Sequence, residues 1–253
     1  MPALPRARAK IYDPTQIFVS KTTPQILRYH RVRRAFRPIT NYNLAGGTSF
    51  IRDEHVFRLT GNYGIVTLGS ETYRTSGGLS GEWQYQLDER QSFSLGAQYA
   101  QLRYEDINNT TGANQRDADF WGVSAGYRRI FNYSFQPIFS LGLSYGDQQT
   151  KKDRADLVSR VYGANIGISF TPAAKWGAAL GYNYLRSDFK GQDIILGQTR
   201  EDRYDSYNAT VSYLYNRNIS IRGEIMQSRN RSNIDLYSFP RDVYAIKIRY
   251  EFK

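Results

Sequence analysis

Arg241-Asp242-Val243-Tyr244-Ala245-Ile246-Lys247-Ile248-Arg249-Tyr250-Glu251-Phe252-Lys253 is the stretch that decides the fold. From Tyr244 every second residue is large and apolar: Tyr244, Ile246, Ile248, Tyr250 and Phe252. Ala245, Lys247, Arg249 and Glu251 stand between them. Successive side chains of a strand point to opposite faces, so this segment has one greasy face and one charged face.

The same period-two pattern repeats upstream. Ile219, Ile221 and Ile225 alternate with Ser220, Arg222 and Glu224. Tyr207, Ala209, Val211 and Tyr213 alternate with Asn208, Thr210 and Ser212. Further back, Trp176–Tyr184, Tyr162–Phe170, Phe139–Tyr145, Trp121–Tyr127, Phe93–Tyr99, Leu79–Leu87 and Phe57–Ile65 read alike. Asn41–Phe50 is a weaker strand, with Gly46-Gly47 expected to break it. From Asp88 onward, short connections (Asp88–Arg90, Phe131–Ser134, Thr171–Lys175, Tyr215–Asn218) alternate with long ones at 105–119, 147–157, 187–202 and 229–240. About ten strands follow, and any strand within residues 15–50 should belong to a pair that makes twelve.

Composition narrows the classes. The 253 residues contain no cysteine, which excludes a disulfide framework, thiolate metal sites and a cysteine nucleophile. The histidines are His30 and His55 alone. No apolar run reaches the roughly 18 residues of a transmembrane helix. Transmembrane strands need no such run, because only alternate residues meet lipid. The charge of +11 is concentrated near the start, where residues 1–40 hold nine basic residues against Asp13 alone. We divide the chain into a basic extension at 1–40 and a barrel at 41–253. The basic segment suits anionic lipid headgroups or a polyanionic partner; the rest of the chain offers no nucleic-acid motif.

The polar faces show which side meets lipid. They consist mostly of Gly, Ser, Asn, Thr and Gln, whereas a water-facing outer surface carries more Lys and Glu. The apolar faces place Tyr, Trp or Phe at strand ends and smaller aliphatic residues between, the pattern of aromatic girdles flanking a lipid belt. With 21 Tyr and 21 Gly, the chain resembles Gram-negative outer-membrane β-barrels: all-β, antiparallel and up-and-down, of 10–12 strands. That resemblance implies short periplasmic turns, long extracellular loops, contact with outer-membrane lipid and lipopolysaccharide, and the barrel-insertion machinery as a partner. It makes Tyr244, Ile246, Ile248, Tyr250 and Phe252 the candidate membrane-insertion signal.

Candidate functional residues follow from the faces. Arg222, Glu224, Lys247, Arg249 and Glu251 should line the lumen, as a salt-bridge network or as a filter that sets ion preference. Asp117, Asp119, Glu201, Asp202 and Asp205 read as solvated loop charge, since no metal-loop spacing is present. His55 falls near the periplasmic end of its strand with no evident Ser or Asp partner and reads as an interfacial histidine. No nucleophile–base pair, metal motif or cofactor motif is visible, so an enzyme is not expected.

The tail Arg229–Val243 carries Ser232, Asn233, Leu236, Tyr237 and Arg241 before a strand that closes on Phe252. It is similar to the end of the barrel domain in surface lipoprotein assembly modifiers and related barrels fused to tetratricopeptide repeats. That resemblance implies a translocation or export barrel that brings a lipoprotein, another client protein or a polymer to the cell surface. The residues also allow a passive diffusion porin or a closed surface-binding barrel. No signal peptide stands at Met1–Lys10, and we expect the chain to be the C-terminal part of a longer protein.

Overall fold

The computed structural model describes residues 16–22, 39–106 and 113–251. They form one twelve-stranded antiparallel sheet in which each strand pairs with its sequence neighbours. The strands are β1 (Gln16–Thr22), β2 (Ile39–Arg52), β3 (His55–Leu68), β4 (Glu71–Asp88), β5 (Gln91–Tyr104) and β6 (Ala118–Ile130). They continue with β7 (Ile138–Thr150), β8 (Ser159–Ala173), β9 (Trp176–Gln192), β10 (Thr199–Leu214), β11 (Ile219–Ser232) and β12 (Phe239–Tyr250). The sheet curls into an up-and-down barrel, so one cavity is lined jointly by Leu102 and Tyr104 of β5 and by Phe189 and Arg200 of β9 and β10.

The period-two pattern fixes what each face of this single-layer wall presents. Among the described residues the buried apolar side chains are only Ala118, Val158 and Ile234. The large apolar residues instead point outward and are exposed, from Leu59 and Leu79 through Leu143 and Leu180 to Ile246, which is 82% exposed. A water-soluble barrel buries that face. A wall with an apolar outside and no apolar core needs hydrocarbon as its outer solvent.

Aromatic side chains bound the apolar band at both ends. Near one end Trp121, Tyr145 and Tyr162 follow one another at 5.4 and 5.3 Å between ring centroids, and Tyr182 meets Tyr207 at 4.9 Å. Near the other, Trp176 meets Tyr213 at 4.7 Å and His55 stacks on Tyr85 at 4.9 Å. Tyr162 and Phe170 stand eight residues apart on β8, which is roughly 26 Å along a strand. Tilted by about 40°, that run rises roughly 20 Å, so the rings stand within a band about 25 Å tall.

The strands differ in extent from the sequence-based boundaries. β9, β10 and β11 run well past the aromatic belt, so the connections at 187–202 and 229–240 shrink to residues 193–198 and 233–238. Backbone pairing carries the ladder on after the lipid-facing alternation has ended. The expected break at Gly46-Gly47 is absent, and β2 runs through both. A Cβ at Gly47 would lie 2.3 Å from the Leu59 carbonyl oxygen, so glycine there allows β2 to lie close against β3. The pair expected within residues 15–50 is formed by β1 and β2. Phe252 and Lys253 lie outside the described residues, as does most of the basic segment.

Candidate functional site: the lumen and its mouth

The inner face is built from small and polar residues. Ser124, Ser144, Asn165, Asn183 and Asn208 point inward and remain exposed. Glycines make room for their neighbours: a Cβ at Gly142 would meet the Asn165 amide at 2.5 Å, and one at Gly181 the Asn208 amide at 2.4 Å. One inward aromatic breaks the pattern. Phe120 lies against Gly146, where an added Cβ would stand 2.6 Å from its ring.

Inward charges occupy the half of the strands that ends at the short turns. Glu224 accepts from Lys247 Nζ at 2.7 Å and pairs with Arg222 Nε at 2.7 Å. Arg249 pairs with Glu251 at 2.8 Å. The five residues singled out from the last two strands are thus joined in two ion-paired groups, and Arg222 lines a hollow with Ser212 and Gly177. Two further elements escaped the sequence reading. Arg58 pairs with Glu82 at 3.0 Å across β3 and β4. Arg128 is exposed on the inner wall and has no acidic partner among the described residues. Both were visible as charges on otherwise neutral faces.

The other end of the lumen is narrowed by inward-folded connections. Val158 and Ala118, each 2% exposed, and Ile234 anchor them. A cavity of about 270 Å³ lies among Arg116, Gln148, Asp156, Phe189, Arg200 and Tyr237. Arg200 holds this layer together. Its guanidinium lies 3.6 Å from the Tyr237 ring centroid and 4.5 Å from that of Phe189. Its Nε also donates to both carboxylate oxygens of Asp202, at 2.9 and 3.0 Å. Cation–π contact and a forked ion pair on one guanidinium tie the start of β10 to β9 and to the segment before β12.

The rest of the mouth is equally well partnered. Tyr237 donates to Asp193 Oδ2 at 3.0 Å, and Asp193 Oδ1 accepts from the Ile195 and Leu196 backbone at 2.9 and 3.0 Å. Those backbone donors hold the Asp193 carboxyl below its usual range, and hydrogen bonding to Asp193 pushes the Tyr237 phenol up. The Arg154 guanidinium likewise lowers Asp156, at 2.7 Å. Asn233 accepts from Glu201 N and donates to the Thr199 carbonyl, both at 2.8 Å. Asn233 and Tyr237 of the distinctive tail are therefore part of the layer that narrows the mouth.

The acidic group at the strand ends is not the solvated loop charge expected from sequence. Asp202 is buried with Arg200, while Asp119 binds Arg103 at 3.1 Å and Lys151 at 2.5 Å. Asp205 accepts from Tyr182 at 2.6 Å and pairs with Arg231 at 3.3 Å, and Glu201 meets Arg186 at 3.4 Å. Asp117 accepts from the Tyr104 backbone at 2.7 Å. The ladders extend through Asp119, Glu201 and Asp205, which face Arg103, Arg186 and Arg231 on neighbouring strands, while Asp202 pairs with Arg200 on its own strand. His55 sits in the aromatic belt near the short turns, where its Nδ1 accepts from Trp83 Nε1 at 3.0 Å. On the outside of β12, Tyr244, Ile246, Ile248 and Tyr250 are all exposed.

The family model described as outer membrane protein beta-barrel domain matches residues 49–232. No curated protein matches the sequence. Among solved structures, the KdgM porin is similar at 12% identity over 85% of this chain and 93% of its own, with a TM-score of 0.43. A mutant of the TodX monoaromatic hydrocarbon channel is similar at 11% identity over 86% and 75% of the two chains, TM-score 0.45. A mutant of the ferric enterobactin receptor PfeA from Pseudomonas aeruginosa is similar at 9% identity over 94% and 41%, TM-score 0.45.

Proposed function

From a chain that belongs to the outer membrane protein beta-barrel domain family, and so lies in the outer membrane of a Gram-negative bacterium, we propose a water-filled diffusion pore for small hydrophilic solutes. One observation carries this reading: the inner wall of Ser124, Ser144, Asn165, Asn183 and Asn208 stays exposed, with Phe120 an apolar side chain set among them. Hydroxyl and amide groups exchange hydrogen bonds with water and with polar solutes at little cost. Arg58, Arg128, Arg222, Lys247 and Arg249 outnumber Glu82, Glu224 and Glu251 on that wall, which favours anions. The mouth layer around Arg200 sets the size limit.

Single-channel recording of the refolded chain in a planar bilayer tests the pore. Steady ohmic openings with anion preference support it. A folded barrel that never conducts rejects it. That outcome favours the export role implied by the tail, in which a periplasmic partner and a surface client are required, or a closed surface-binding barrel.

A further inference from the structure

A hollow of about 340 Å³ opens on the inner wall from β4 to β8. Its floor is one row of the ladder, in which Ser80, Gln98, Gly122, Gly146 and Val161 are paired in turn from strand to strand. Phe120, one inward position nearer the mouth on β6, folds down over this row. A Cβ at Gly146 would stand 2.6 Å from its ring, and one at Gly122 would stand 3.2 Å from it. Both glycines are buried and the ring is half-buried. Two positions without side chains thus let the ring lie along the wall, beside Val161, and turn a face to the lumen.

Polar groups surround this apolar face. The next row toward the short turns sets Ser124 and Ser144 directly opposite each other, and Gly96 leaves room for the Ser124 hydroxyl. Ser80, Ser94 and Gln98 complete the margin. Among the described residues none of these five side chains hydrogen-bonds another protein group, so all are free for water or a solute. The only charge among the described residues that line the hollow is Glu82, which Arg58 holds at 3.0 Å. An aromatic face ringed by neutral donors and acceptors suits a solute with one apolar face and hydroxyls around its edge. A pyranose is built that way: axial C–H bonds form the face and equatorial hydroxyls radiate from it. An ion finds no unpaired partner here, and a small aromatic solute would leave most of the margin to water. The volume falls within the roughly 300–1,000 Å³ of small-molecule sites. Entry is direct, since Gln148 lies opposite Phe120 in the ladder and, with Ala118, also lines the mouth cavity.

We propose that Phe120 and the hydroxyls of Ser124 and Ser144 form a lumenal binding site for one pyranose ring of a neutral saccharide, which stacks on Phe120. As a station for uptake the site rests on the pore reading of the barrel; the binding itself requires no conduction.

The full chain is refolded in a sugar-free detergent and titrated with methyl β-glucoside, sorbitol or benzyl alcohol. Saturation-transfer NMR reads which protons touch the protein and gives the dissociation constant; gel mobility without heating checks that each variant is folded. With wild type, the axial protons of one glucoside face should take up most of the saturation. Phe120→Ala should bind the glucoside about tenfold more weakly, from the loss of stacking, and Phe120→Tyr should bind it like wild type. Ser124→Ala with Ser144→Ala should weaken the glucoside by about tenfold and leave benzyl alcohol unchanged. Sorbitol has hydroxyls without a ring face, and benzyl alcohol a ring without a hydroxyl margin, so both should bind more weakly than the glucoside. Equal binding by wild type and Phe120→Ala overturns the proposal. So does sorbitol or benzyl alcohol matching the glucoside, the first marking a contact through hydroxyls alone and the second a site for aromatic solutes. Current recording on the same protein separates this site from the pore. Glucoside binding by a silent barrel rejects the pore and keeps the site; a conducting barrel that binds no glucoside keeps the pore and rejects the site.

Discussion

Neighbouring residues on one strand of this wall live in different solvents. Leu143 of β7 is 56% exposed on the outside, while Ser144 faces the lumen. A charge at the first position meets hydrocarbon; at the second it meets water. Leu143→Arg should cost about 2–4 kcal/mol in folding, read as a lower midpoint in urea-dependent refolding into vesicles. Ser144→Arg should leave that midpoint nearly unchanged and reduce single-channel conductance. Equal destabilisation by both would show that the inner face is packed rather than wet. Arg200→Ala is a different kind of loss. It strands the Asp202 carboxylate, 7% exposed, without its partner, at a cost of about 3 kcal/mol. Hydrogen exchange should rise first at residues 193–198 and 233–238, and conductance should increase if these segments narrow the pore.

At the scale of elements, the connections form the packed layer and the strands form the open wall. Their polar anchors make the layer sensitive to acid. Asp193 and Asp156 are both held below the ordinary carboxylate value, by backbone donors and by Arg154 respectively. A depressed folded pKa means that their contribution is complete above the unfolded value and is lost as pH falls through the lower, folded one. Conductance should therefore be constant from neutral pH down to about 5 and should rise below about 4 as the layer loosens. Asp193→Asn should weaken that acid step. A flat response to pH 3 would show that the loops do not limit flow. The strands were legible here and the loops were not. Alternation marked every membrane crossing from β3 to β12, because two solvents impose period two on the side chains. Past the belt both faces are polar, so the pattern fades while backbone pairing continues. For that reason β9, β10 and β11 read too short, and Phe189, Arg200 and Tyr237 had no assignable face.

At the scale of the whole molecule, the inside and outside carry separate charge patterns. The lumen wall has more cations than acids, and most are ion-paired; Arg128 is not. Arg128→Ala with Lys247→Ala should move the zero-current potential in a potassium chloride gradient toward the cation side. An unchanged potential would place selectivity at the mouth instead. On the outward face beyond the aromatic belt, Arg186, Arg203 and Arg231 stand in one row among Asp188, Glu201 and Asp205.

The sequence by itself determined a count of ten to twelve strands, the antiparallel order, the lipid-facing side and the two-ended layout of turns and loops; the structure settled on twelve. Each of these follows from local rules: period two, turn length and the placement of aromatic residues. It also put Arg222, Glu224, Lys247, Arg249 and Glu251 on one face. Only the tertiary structure decided which residues meet across strands far apart in the chain. Register aligned three arginines from β9, β10 and β11, and curling of the sheet brought β5, β9, β10 and the tail around one cavity. Those are long-range juxtapositions. Alternation fixes the face of a side chain, but not the height at which its neighbour arrives.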